Sequence, residues 1–165
     1  MALPSRLDPI DVRVTSWMAR HGITITRIAL GVVFFWFGFI KFVPGWSPAA
    51  ELATRTIDRL TFGLLSPAIS LPLLAAWETL IGLGLLTARS LRATLGLLFL
   101  QMPGTMLPLL FFPRETFIAF PYAPTFEGQY IVKNLVLVGA AIVVGATVRG
   151  GQLSADPARS TTPVS

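Results

Sequence analysis

A chain of 165 residues that is 53% hydrophobic and only 13% charged, with a mean hydropathy of +0.70, has the composition of a membrane protein, since soluble domains carry about 25% charged residues. Several spans of about 20 residues would use half the chain and exclude an additional soluble catalytic domain. The formal charge of +5 reflects basic residues beside the spans, so topology explains it better than nucleic-acid binding does.

The sequence contains no cysteine, which excludes thiol redox chemistry, disulfides and cysteine-ligated iron–sulfur clusters by this chain itself. His21 is the single histidine, so a haem held by two histidines of one chain is excluded as well. Residues 1–22 read as a cytoplasmic leader, in which Asp11 to His21 form a short interfacial helix with Val14, Trp17 and Met18 on one side. The long charged leader and Lys41 argue against a cleaved signal peptide, so the first apolar run is expected to be retained.

That first span is expected over residues 23–43. Arg27, Gly31, Phe34, Gly38 and Lys41 recur at 4, 3, 4, 3 spacing and share one helix side, small in the middle and cationic at its ends. Small residues let a second helix approach closely in lipid, where packing holds helices together. Pro44-Gly45-Trp46 ends the span. Ser47-Pro48 then reads as an N-cap followed by a first-turn proline. Ala49, Ala53, Ile57, Leu60 and Leu64 form the apolar stripe of an amphipathic helix lying on the membrane or over the bundle.

Ser66-Pro67 opens a second span that runs to about Thr87 with one charge, Glu78, and a tight basic turn follows over residues 88–92. A third span covers about residues 93–112, where Pro103 and Pro108 should bend or locally unwind it. Residues 113–130 read as a proline- and aromatic-rich loop. The fourth span runs from near Gly128 to Val148, and residues 149–165 read as a disordered cytoplasmic tail. The predicted fold is therefore an all-α membrane bundle of four spans with an amphipathic helix in the first outer loop. Leader, middle turn and tail hold most of the unbalanced arginines, which predicts that both termini are cytoplasmic.

Glu78, Gln101, Arg27 and Trp36 are the candidate ligand-binding or proton-handling residues. Glu78 and Gln101 come out roughly 13 and 15 Å deep on adjacent spans, so they are natural hydrogen-bond partners. An ionised carboxylate at that depth needs a cation or a raised pKa. Arg27 is within reach only if it extends inward, and Lys41, nearer the far face, looks less suitable. Three roles fit Glu78: protonated interhelical glue with Gln101, ligand or proton handling, and a salt bridge to Arg27 or to a partner subunit. In the second role, Glu78→Gln should leave stability largely intact and abolish function. Lys41, Glu127, Lys133 and Asn134 form a second expected set near the outer face, either holding an anionic or carbonyl-bearing head group or forming an ordinary Glu127 salt bridge with snorkelling lysines. No zinc, nucleotide or catalytic-triad pattern occurs, and Gly82-Leu83-Gly84 reads as helix packing.

The run from Arg27 through Gly31 and Gly38 to Lys41-Phe42, followed by Trp77-Glu78-Thr79-Leu80-Ile81-Gly82-Leu83-Gly84, resembles the DoxX family of small bacterial four-helix membrane proteins. The closing Phe126-Glu127-Gly128-Gln129-Tyr130-Ile131-Val132-Lys133-Asn134 is similar to that superfamily's fourth helix, especially in the branch linked to reactive-chlorine resistance. The likeness covers about residues 23–148. It implies a bacterial inner-membrane subunit serving a redox or oxidative-stress-resistance system, with possible redox partner proteins, a possible homo-oligomer, and a quinone or other hydrophobic small molecule as ligand. Arg27, Lys41, Glu78, Lys133 and Asn134 are the motif positions it carries over. A proton-coupled or small-solute transporter built on Glu78 and a non-catalytic scaffold are the rival classes; the lack of an obvious inverted repeat weighs against the former.

Overall fold

A computed structural model describes residues 8–155. The expected leader residues 1–7, with Arg6, and tail residues 156–165, with Arg159, lie outside the described residues.

Helix α1 (Asp8–Ile40) is one uninterrupted rod of 33 residues, about 50 Å long. This corrects the expectation of a separate leader helix ahead of the first span. After Pro9 in its first turn the segment contains no proline, and an isolated Gly22 weakens a helix without ending it. The helix stops at Ile40, where the amides of Lys41, Phe42 and Val43 bond to carbonyls three residues back and tighten its end. Helix α2 (Ala50–Leu60) follows. Ser47-Pro48 precedes it by a turn and does not cap it: the N-cap is Ala49, with no side-chain bond. Its apolar stripe is half-buried at Ala49, Ala53 and Ile57 and runs out to the surface beyond them. Thr54 and Thr56 are buried, their hydroxyls turned onto their own helix's carbonyls, whereas Leu60 and Leu64 are exposed.

Helix α3 (Pro67–Thr87) begins as expected at Ser66-Pro67 and ends at Ala88, which with Ser90 takes positive φ to close the basic turn tightly. Helix α4 (Leu91–Met106) breaks at Leu107, and α5 (Pro108–Phe111) completes the third span, so the interruption falls at the second of its two prolines. The expected 113–130 loop is more ordered than its composition suggests. It holds α6 (Pro113–Thr116) and a short antiparallel hairpin, β1 (Phe117–Ala119) with β2 (Ala123–Pro124), in which Phe117 pairs with Pro124 and Ala119 with Ala123. Helix α7 (Phe126–Val132) starts at Thr125, whose hydroxyl accepts from the Gly128 amide, and α8 (Asn134–Gly145) continues past Lys133 to complete the fourth span.

The protein is thus an all-α bundle, and among the described residues four helices are long and apolar enough to cross a membrane. Around the bundle α1 touches α3, α3 touches α4, α4 touches α8 and α8 returns to α1. Leu30, Phe34, Ile81, Leu85, Leu98, Met102 and Val144 fill its centre. The α1–α3 seam is the tightest, and glycine makes it so. A Cβ on Gly38 would lie 2.6 Å from the Thr79 amide nitrogen and 2.9 Å from Glu78 Cβ. On Gly31 it would press on Leu86, and on Gly82 it would collide with the Phe35 backbone. Gly31 against Leu86, Phe35 against Gly82 and Gly38 against Thr79 form an antiparallel register, each step of four or three along α1 matched by the same step back along α3. Measured along α3, α1 stops about 15 Å short of the level at which α3 begins.

Candidate functional site

That register decides which polar groups meet. With Gly38 packed on Glu78 and Thr79, the side chain three residues on, Lys41, falls beside Glu78. Lys41 Nζ donates to Glu78 Oε2 at 2.6 Å and to the Phe37 carbonyl at 3.0 Å. Gln101 Nε2, from α4, donates to Glu78 Oε1 at 3.0 Å, so three helices converge on one carboxylate. The pair is buried, with side-chain exposures of 7% for Lys41 and 11% for Glu78. Trp77, beside Glu78, ties α3 to α4 a second time through its indole N–H to the Leu97 carbonyl at 3.2 Å.

The arrangement has a local logic. Lys41 sits just past the C-terminus of α1, where the helix presents partial negative charge and unsatisfied carbonyls, and a cation is favoured there. Burial of that cation away from water demands a counter-charge, which Glu78 supplies. The carboxylate in turn sets the Gln101 amide, because only its N–H end can face a carboxylate oxygen. Two capacities remain. An ammonium has three N–H donors, of which two are used here. Gln101 Oε1 is buried with no hydrogen-bond partner among the described residues. Among the described residues, one Lys41 N–H and the Gln101 Oε1 therefore have no hydrogen-bond partner, at a site on which both a cation and an anion converge. Tyr130 of α7 stands next to this corner, its ring edge-to-face with Phe37 at 5.9 Å.

The other expected site residues are distributed differently. The Glu78–Gln101 bond forms as expected. Arg27 does not reach Glu78. It donates to the Leu86 carbonyl at 3.1 Å and to that of Leu85, closing the C-terminal end of α3. The register makes this unavoidable, since Leu85 lies about 10 Å along α3 from Glu78. Trp36 is 64% exposed on the outside of the bundle and takes no part in the site. The outer-face set does not assemble. Lys41 is buried against Glu78 and not at a lip, Glu127 and Lys133 are exposed, Asn134 is half-buried, and no ion pair or hydrogen bond joins them among the described residues.

Sequence reasoning ranked Lys41 below Arg27 because it measured each span from its own end. Only part of the signal for Lys41 lies in the sequence, its place on the glycine side of α1; the slide that brings Gly38 to Thr79, and hence Lys41 to Glu78, comes from how the two helices pack. A further cluster at the same end of the bundle also went unread. Arg55 of α2 forms a bidentate pair with Glu115 of α6 at 2.7 and 2.9 Å and lies 4.5 Å over the Phe112 ring. Arg59 donates to the Phe111 carbonyl at 3.2 Å. Hydrogen bonding from Arg55 holds the Glu115 carboxyl below its ordinary pKa, partial burial opposing and charge attraction reinforcing it. Groups of histidine or carboxylate residues able to hold a metal ion are absent among the described residues. Comparison with family models, with curated proteins and with solved structures gives no match for this chain.

Proposed function

We propose that this chain is a DoxX-like accessory subunit of a bacterial inner membrane, serving a redox or oxidant-resistance system, and that the Lys41–Glu78–Gln101 corner holds the polar end of a quinone or similar hydrophobic carbonyl-bearing molecule. The observation that carries the proposal is the buried Gln101 Oε1, without a hydrogen-bond partner among the described residues, beside the buried Lys41–Glu78 ion pair, whose ammonium has one N–H to spare. Ionisable groups inside spans are costly and mark functional sites by default. Lys41 would donate to a ligand carbonyl and Gln101 Oε1 would accept from a ligand hydroxyl, so the corner suits both the oxidised and the reduced form. Glu78 would keep the ammonium charged and in place. A quinone, when bound, supplies two-electron, two-proton chemistry to a partner protein; the residues of this chain bind and orient it. The basic residues at the turn end, Arg89 and Arg92 with Arg27 and Arg149, support an orientation with both termini in the cytoplasm.

The test is extraction of the full chain in mild detergent, followed by mass spectrometry of what remains bound. A hydrophobic carbonyl compound should accompany the natural protein and be lost from Gln101→Leu, with helix content by circular dichroism unchanged. Recovery of neither a quinone nor a redox partner would overturn the reading, and solute uptake into proteoliposomes that depends on Glu78 would replace it with a transporter.

A further inference from the structure

At the loop end of the bundle, an open cleft of about 420 Å³ lies where the third span ends, lined by Leu109, Leu110, Pro113, Phe117, Ile118 and Phe120 with Arg114 as its one charged residue. Its volume falls within the ordinary range of small-molecule sites. Phe117 and Phe120 form one wall, edge to face at 5.1 Å, and Leu110 and Ile118 remain 72% and 81% exposed. Arg114 is exposed and makes no hydrogen bond or ion pair among the described residues. The adjacent carboxylate, Glu115, forms its bidentate ion pair with Arg55 and none with Arg114. An apolar trough continuous with a membrane span, with one free guanidinium at its rim, is complementary in shape and charge to an anionic head on an alkyl chain.

We propose that this cleft binds an anionic amphiphile from the bilayer, its phosphate or carboxylate on the Arg114 guanidinium and its chain along Leu109, Leu110 and Ile118. The site is separate from the Glu78 corner, and neither Lys41, Glu78 nor Gln101 lines it. A neutral ligand such as a quinone would gain no charge attraction from the guanidinium, whereas an anionic head would.

The experiment is titration of the full chain in neutral maltoside detergent, read by native mass spectrometry, with phosphatidylglycerol, palmitate and phosphatidylcholine as probes. One or both anionic probes should bind about tenfold more tightly than phosphatidylcholine, and Arg114→Gln should remove that preference. Preference for phosphatidylglycerol alone identifies a phospholipid, and for palmitate alone a free fatty acid. Arg89→Gln, at the opposite end of the bundle, should leave the preference intact. Equal binding of all three probes would overturn the proposal. So would a preference that survives Arg114→Gln, or one that Arg89→Gln reduces equally, since the attraction would then be general charge. Arg114 holds nothing else in place, so its substitution should not disturb folding, and an unchanged melting temperature verifies this.

Discussion

Of the three ion pairs among the described residues, the two shortest are of nearly equal length and lie in opposite surroundings. Lys41–Glu78 closes at 2.6 Å with both side chains almost fully buried, while Arg55–Glu115 closes at 2.7 Å with exposures of 42% and 47%. Distance alone would rank them together; solvent separates them. The exposed pair trades contacts with water for contacts with each other and gains little. The buried pair has no such exchange, so neither member can be removed without stranding the other. The exposed pair ties α2 to α6, beyond α5. The buried pair forms where the glycine-set register of α1 on α3 brings Lys41 to Glu78, and it places opposed charges inside the bundle.

The largest expected effect comes from breaking the buried pair. Glu78→Gln leaves the Lys41 ammonium without a counter-charge and should destabilise the protein by about 3–5 kcal/mol in detergent unfolding. This revises the expectation drawn for a lone carboxyl, under which the same change was to be nearly neutral in stability. The double variant Lys41→Met/Glu78→Gln should recover most of the loss, because it removes the stranded charge as well. Additive losses in the double variant would show that the two residues act independently.

A smaller effect tests what brings the pair together. Gly38→Ala puts a methyl against the α3 backbone and should cost about 1–3 kcal/mol by forcing the helices apart. Gly96→Ala on α4 meets nothing within 4 Å and should be neutral or stabilising by up to about 1 kcal/mol. Thermal melts of the two variants compare the effects directly, and equal responses would mean that close approach is not what holds α1 on α3.

The smallest effect belongs to the exposed pair and is a matter of pH. Because Arg55 lowers the Glu115 pKa in the folded protein, the pair's contribution is present above the ordinary carboxylate range and is lost as pH falls through the lowered value. The stability difference between the natural protein and Glu115→Gln should therefore be small near neutrality, in favour of the natural protein, and vanish in acid. A difference that grows on acidification would contradict the pairing.

Four spans, their order, the amphipathic helix between the first two, the shared side of Gly31, Phe34, Gly38 and Lys41, and the Glu78–Gln101 partnership were all legible in the residues. Each rests on local quantities: apolar length, 3.6-residue periodicity and the depth of a polar group along its own helix. The continuity of α1 was hidden because charge and composition change at residue 23 while nothing in the backbone chemistry does. The hairpin at residues 117–124 was hidden because a two-stranded ladder this short leaves no alternating pattern to read. The assignment of Lys41 to Glu78, and of Arg27 to the end of α3, belonged to the tertiary structure alone. Periodicity fixes which side of a helix faces inward but not how far one helix slides along another. Here that offset is set by backbone approaching backbone at Gly38 and Gly82, and only the packed bundle shows where they meet.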